Sequence, residues 1–191
     1  TYTVRSTYLY LHYSEGVYSL CSEGAYYTYF FRGMRNMETQ SCIKIYKADR
    51  KLEFWEKGNL IHTFKIGLGF SPKGHKTRDG DGRTPEGAYY ICTQNPNSRF
   101  TLFLGISYPN IEDALKGLEE GLIDEVTYES IKKTIQELKR PDWNTPLGGQ
   151  IGIHGKGSAY DWTAGCIALD DEDMKVLWEL AKIGTPVHIY K

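Results

Sequence analysis

The 191-residue chain contains no long hydrophobic run. None of its apolar stretches approaches the ~20 residues needed to cross a bilayer, so no membrane span is expected. Nor is there an excess of basic residues. Lys and Arg total 23 against 24 Asp and Glu, which leaves no positive face for a nucleic acid, and none is expected as a partner. Cysteine is scarce. Cys21, Cys42, Cys92 and Cys166 form no C-x-x-C pair and no metal-ligand spacing, and His12, His62, His75 and His188 offer no metal geometry with Cys166. No metal or other cofactor is expected. A basic segment leading into an uninterrupted apolar core is also missing, so no secretory signal is visible. The remaining chain is long enough to bury a full hydrophobic core without disulfides or metal.

Tyrosine is not scarce, and it is unevenly spread. Tyr2, Tyr8, Tyr10, Tyr13, Tyr18, Tyr26, Tyr27 and Tyr29 all fall within residues 1–41, with Phe30 and Phe31 beside them. The run Thr7-Tyr-Leu-Tyr-Leu-His-Tyr13 is β-prone. The segment reads either as an added β-unit or as a non-native extension of a domain that starts near Met34 or Met37. No function is assigned to it.

Residues 42–191 read as one mainly β domain with added helices, an α+β class. Ile43-Lys-Ile-Tyr-Lys47, Lys51–Glu56 and Leu60–Leu68 alternate apolar and polar residues, with Gly and Asn between them, as a β-meander does. A polar loop over 71–83 leads to strands at Ala88–Thr93, where Cys92 is a core residue, and at Phe100–Ile106. Helices are expected over Asp113–Gly121 and from Glu125 to about Lys139, the second presenting Ile131, Ile135 and Leu138 on one face. Gln150–Ile153 returns to the sheet. Asp170 suits an N-cap with Asp173 as capping partner, followed by a stripe of Met174, Leu177, Leu180 and Ala181, a stop at Gly184 and a last strand at Pro186–Tyr190.

The chemistry concentrates at Ile151-Gly-Ile-His154-Gly155 and Thr163-Ala-Gly165-Cys166-Ile-Ala-Leu169. A free thiol with a pKa of ~8.5 is only about 3% thiolate at pH 7. A histidine within hydrogen-bond reach can take its proton, and an imidazolium partner would pull the thiol pKa below neutrality. Cys166 is therefore the candidate nucleophile and His154 its base. The Gly155 carbonyl is free to orient the imidazole. Gly165 permits a sharp turn whose backbone N–H groups could face an oxyanion. Taken singly, a cysteine in a β segment is usually a buried small hydrophobe and a lone histidine usually a surface or satisfied core residue; the glycine-flanked pair favours catalysis. A papain-like arrangement is disfavoured, because there the cysteine precedes its histidine and opens a helix.

Together these segments resemble the L,D-transpeptidase catalytic domain (YkuD-type). His154-Gly155 with Thr163–Leu169 is similar to its signature, and Gly80-Asp-Gly-Arg-Thr-Pro-Glu-Gly87 to its strand-leading segment. Asn97-Ser-Arg-Phe100 and Gly105-Ile-Ser-Tyr-Pro-Asn110 resemble a branch with a helical insertion before the His-Gly motif. The resemblance covers about residues 42–191. It implies a β-sandwich-like core with an inserted helical pair and a C-terminal helix-strand. It also implies a Cys166 acyl-enzyme, peptidoglycan stem peptides as substrate, acylation by carbapenem-type inhibitors and an extracytoplasmic location, in periplasm or cell wall. His154 and Gly155 match the base and its orienting carbonyl, and Thr163 and Gly165 the motif around the nucleophile.

Two positions depart from the pattern. Ala164 stands where histidine is common, and Ala168 where arginine is common. Arg83 and Arg99 are candidates to replace that arginine at the substrate, and Tyr108 is a candidate to line the cleft, with core packing as its alternative. Lys73, His75, Lys76, Arg78 and Arg83 crowd the 71–83 loop, for which a solvated charged surface is the favoured reading, because Asp79 and Asp81 are interspersed. The expected reaction is L,D-transpeptidation. The alternatives are hydrolysis at the same site, as an L,D-carboxypeptidase or amidase, and a non-catalytic cell-wall peptide-binding module.

Overall fold

The structure, a computed structural model, describes residues 12–14, 17–19 and 41–191. The chain divides into two compact units, Thr1–Asn36 and Met37–Lys191. In the first, β1 (His12–Ser14) pairs antiparallel with β2 (Val17–Ser19). The two readings of the rest of the tyrosine-rich segment concern residues outside those described.

The alternating runs of the second unit form β3 (Cys42–Tyr46), β4 (Lys51–Glu56) and β5 (Asn59–Lys65), paired antiparallel as a meander. They continue into an eight-stranded mixed sheet with β6 (Gly87–Asn95), β7 (Phe103–Ile106), β8 (Gly152–His154), β9 (Ile167–Ala168) and β10 (Pro186–Tyr190), in the order β5-β4-β3-β10-β6-β7-β8-β9. Pairing is parallel at β3–β10 and at β8–β9. The sheet curls until its ends meet. Just after β5, Gly67 exchanges two backbone hydrogen bonds with Ala168 of β9, at 2.9 and 2.8 Å, and Phe70 N–H donates to the Thr163 carbonyl at 2.9 Å. This closure carries the 71–83 loop to the segment around Cys166.

Among the described residues, three helices complete the α+β fold: α1 (Ile111–Glu119), α2 (Glu125–Gln136) and α3 (Asp171–Leu180). Strand β6 is buried on both faces. Tyr89 and Ile91 join the main core with Ile43, Ile45, Leu52 and Val187, while Tyr90 and Cys92 face a second cluster built by Ala114, Ile131 and Ile135 of the first two helices. Cys92 is thus a core thiol, pushed by burial up to about 12 and inert at neutral pH. Helix α1 begins two residues earlier than expected, because Asn110 and Asp113 make a reciprocal capping box. Helix α2 stops at Gln136, so Leu138 adopts φ 54° and lies exposed instead of joining the Ile131–Ile135 stripe. Helix α3 likewise ends at Leu180, before Gly184, and buries Met174, Leu177 and Ala181 in the main core.

Candidate active site

Alternation along β8 sends Ile153 into the main core and His154 to the opposite face. Its parallel neighbour β9 sets Ile153 beside Ile167 and His154 beside Ala168. Cys166 immediately precedes β9, and its sulfur lies against the backbone of Gln150 and Gly152 at the start of β8. The imidazole is fixed on several sides. Its Nδ1 lies 2.7 Å from the Gly155 carbonyl oxygen; a carbonyl can only accept, so Nδ1 carries the proton and Nε2 keeps a free lone pair. Phe100 stacks on the ring at 4.5 Å, and Trp162 meets it edge-on at 5.6 Å.

The loop after His154 is tied down by the two acids that open α3. Asp171 Oδ1 accepts from Lys156 N–H at 2.8 Å and from the Thr101 hydroxyl at 2.7 Å. Asp170 Oδ1 accepts from Ser158 N–H at 2.8 Å. Asp170 occupies the N-cap position, as expected, yet its carboxylate makes no capping bond to the helix. The loop residues are the closer donors and take it instead. A Cβ on Gly155 would collide with the Asp171 carboxylate, so the tight approach requires glycine there.

The turn into Cys166 is closed by Thr163, whose Oγ1 accepts from Gly165 N–H at 3.1 Å and donates to the Cys166 carbonyl at 2.7 Å. That occupies the Gly165 amide itself. Gly165 and Thr163 shape the turn. Gly165 has φ 138°, and a Cβ on it would stand 2.7 Å from the Arg83 carbonyl oxygen. Gly165→Ala is expected to destabilise the fold by about 1–3 kcal/mol, read as a lower Tm in thermal unfolding; an unchanged Tm would contradict this account of the turn.

The Cys166 thiol donates to the Gln150 carbonyl at 3.4 Å, and Gly152 N–H bonds to its sulfur. The residue is partly buried, and its bond to the Gln150 carbonyl lies open to solvent. Burial pushes the thiol up to about 11, against the opposing pull of the Gly152 N–H and the Lys76 ammonium. Burial also holds His154 below the ordinary imidazole range, with the Gly155 hydrogen bond acting the other way. Both shifts favour the uncharged forms.

Residues 40–189 match the family profile of the YkuD L,D-transpeptidase catalytic domain. The chain belongs to that family. Among relatives, it is 32% identical over 83 residues to the Putative L,D-transpeptidase YafK of Escherichia coli, covering 40% of this chain and 34% of that protein. The chain thus spans about a third of the curated relative's length. Among solved structures, the helical cell shape determining protein Pgp2 of Campylobacter jejuni superposes with TM-score 0.54 at 22% identity, over 80% of this chain and 47% of that one. Bd1075 of Bdellovibrio bacteriovorus gives 0.52 at 20%, over 80% and 48%. At these identities the likeness is one of fold.

In this L,D-transpeptidase domain the other candidate residues fall in different places. Tyr108 packs inside the fold. It is fully buried, its hydroxyl donates to the Leu147 carbonyl at 3.0 Å, and burial raises its phenol. Arg99 is exposed beside the site, its guanidinium 4.8 Å from the Phe100 ring that stacks on His154. Arg83 abuts Gly165 only through its backbone carbonyl, while its guanidinium reaches toward Gly74. Ala168 is fully buried next to His154. The loop is solvated in part, with Lys73, Arg78 and Asp79 exposed, and in part an ordered polar network. Glu86 N–H donates to His75 Nδ1 at 2.9 Å, His75 Nε2 lies 2.9 Å from Asp113, and Lys76 is only 2% exposed. Sequence reasoning missed the roles of Phe100 and Trp162. Both flank the recognised motifs, and an aromatic residue beside a candidate base is the signal that could have marked them.

Proposed function

We propose that this domain is a cysteine acyl-transferase acting on peptidoglycan stem peptides outside the cytoplasmic membrane, in periplasm or cell wall. One observation carries the reading: the Nδ1–H···O=C bond to Gly155 leaves His154 Nε2 able to accept a proton, two residues along the chain from the Gly152 N–H that bonds to the Cys166 sulfur. Cys166 Sγ attacks the amide carbonyl after the third stem residue, and the thiol proton passes to Nε2. The tetrahedral adduct collapses as the C–N bond breaks, and His154 returns the proton to the departing amine of the terminal D-residue. An amine on a second stem then attacks the thioester, loses its proton to His154, and releases Cys166 as a thiol. A neutral resting pair suits this path, since charge develops only as the bond forms. Carbapenem-type inhibitors, whose strained amide offers the same carbonyl chemistry, fit as acylating agents.

Hydrolysis by the same acyl-enzyme is the second reading, and the partial exposure of Cys166 to solvent favours it, because water can reach the thioester. Incubation with defined muropeptides followed by mass spectrometry separates the two. Cross-linked product is the expected result, and loss of the terminal residue without cross-links would indicate hydrolysis. An unchanged muropeptide mixture would overturn both.

The base must be neutral to act, and burial lowers the His154 pKa from its ordinary value of 6.5. A lower pKa keeps the neutral form present at more acidic pH. The acid limb of kcat/KM is therefore expected below pH 6.5, and a limb above that value would contradict the assignment of the base.

A further inference from the structure

The turn between β3 and β4 carries an arginine where the backbone favours glycine. Arg50 has φ 51°, a left-handed conformation that glycine adopts freely and a residue with a Cβ adopts at a cost. Its side chain accounts for the choice. Nε donates to the two oxygens of the Asp161 carboxylate at 3.0 and 3.1 Å, and Nη2 donates at 2.7 Å, a two-pronged ion pair between residues 111 positions apart. Asp161 Oδ1 also accepts from Leu68 N–H at 2.9 Å. Burial acts to raise the Asp161 carboxyl, but these donors outweigh it and hold the group below the ordinary carboxylate range.

Leu68 takes hold of the chain a second time. Thr163 N–H donates to the Leu68 carbonyl at 3.1 Å. Trp162 is therefore tethered through both of its neighbours to one residue of the closed sheet. Its own Nε1–H donates to the Gly157 carbonyl at 3.0 Å, which fixes the tilt of the indole. That indole meets the His154 ring edge-on at 5.6 Å and the Phe100 ring at 6.0 Å. A continuous path thus runs from the Arg50 guanidinium through Asp161 and Trp162 to the imidazole. Arg50 and Asp161 are 35% and 20% exposed, so the pair contributes little to stability by itself. Its consequence lies in what it holds still. One contact further from the imidazole stand two charged groups: Arg99 over the Phe100 ring at 4.8 Å, and Asp171 against Gly155. The Cys166 sulfur bonds to Gly152 of the same strand.

We propose that the Arg50–Asp161 pair is a positioning element for the His154 imidazole, acting through Trp162. The pair fixes the backbone that carries the indole, and the indole keeps the imidazole in the orientation set by Gly155. A general base is effective only when its lone pair is held on the line of proton transfer. The proposal rests on the reading of His154 as the base.

The test has two readouts on the full chain: NMR titration of the His154 ring, assigned with His154→Ala, and the pH dependence of muropeptide turnover. Arg50→Met keeps the length of the side chain and removes its donors. It is expected to lower kcat about tenfold with little change in KM. The His154 midpoint, and with it the acid limb of kcat/KM, should move up toward the ordinary 6.5 as the loosened indole admits water to the ring. Arg50→Lys should restore part of the rate. Trp162→Ala should shift the midpoint in the same direction, and adding Arg50→Met to it should change kcat less than twofold, because the arginine acts through the indole. If Arg50→Met fails to fold, Asp161→Asn serves, since it keeps an acceptor for Leu68 N–H; the same shifts are expected at smaller size. An unchanged midpoint and kcat in the folded variant overturns the proposal, as does full additivity with Trp162→Ala. Turnover that survives His154→Ala sinks the base reading instead, a result distinct from the ring titration, which is measured without substrate.

Discussion

Cys166→Ala is expected to lower kcat/KM for acyl transfer by at least about 10³-fold, because the proposed covalent intermediate forms on its sulfur. The fold should survive. Cys166 precedes β9 and takes no part in the main core cluster, and the turn before it is held by Thr163 and Gly165 through backbone groups that alanine retains. The other free thiols among the described residues, Cys42 and Cys92, are raised by burial and sit on β3 and β6, so they offer no substitute. Muropeptide turnover together with thermal unfolding checks both halves. Activity within tenfold of the wild type would remove Cys166 from the mechanism.

His154→Ala should come next in severity, with kcat/KM lower by about 10²- to 10⁴-fold, the range of a lost general base. With the thiol pushed up to about 11, the sulfur hardly ionises unaided at pH 7, so the proton needs a local acceptor. The variant's residual rate should rise with pH through neutrality and into the alkaline range, as thiolate forms directly, and the wild-type acid limb should disappear. A variant that retained the wild-type pH profile would show that the base is another group. The Phe100 and Trp162 rings lose their common partner in this variant, so its Tm should be reported beside its rate.

The legible parts of the chain were those in which a side-chain period matches a backbone period. The meander of β3 to β5 followed from alternation, and α3 followed from the Met174–Leu177–Ala181 stripe. His154, Gly155 and Cys166 stood out because glycines flank a histidine and a thiol. What the pattern did not carry was long-range and mostly backbone in origin. The closure of the sheet runs through Gly67, which has no side chain to advertise a partner. Lys76 among aspartates and glycines has the composition of a solvated loop, and only the convergence of Asp81, Arg78 and Tyr108 explains its burial. Asp170 and Asp171 have the look of helix caps in one dimension, whereas their carboxylates serve a loop 12 to 15 residues earlier in the chain. Tyr108 was ambiguous between cleft and core until the Leu147 carbonyl fixed its hydroxyl.

The central claim, that Cys166 is an acylable nucleophile served by His154, is tested most directly by exposing the protein to a carbapenem and measuring its intact mass. The account predicts a gain of one inhibitor adduct, mapped to the peptide containing Cys166, formed much more slowly in His154→Ala and absent in Cys166→Ala. No adduct on a folded wild-type protein, or an adduct that persists in Cys166→Ala, would contradict it.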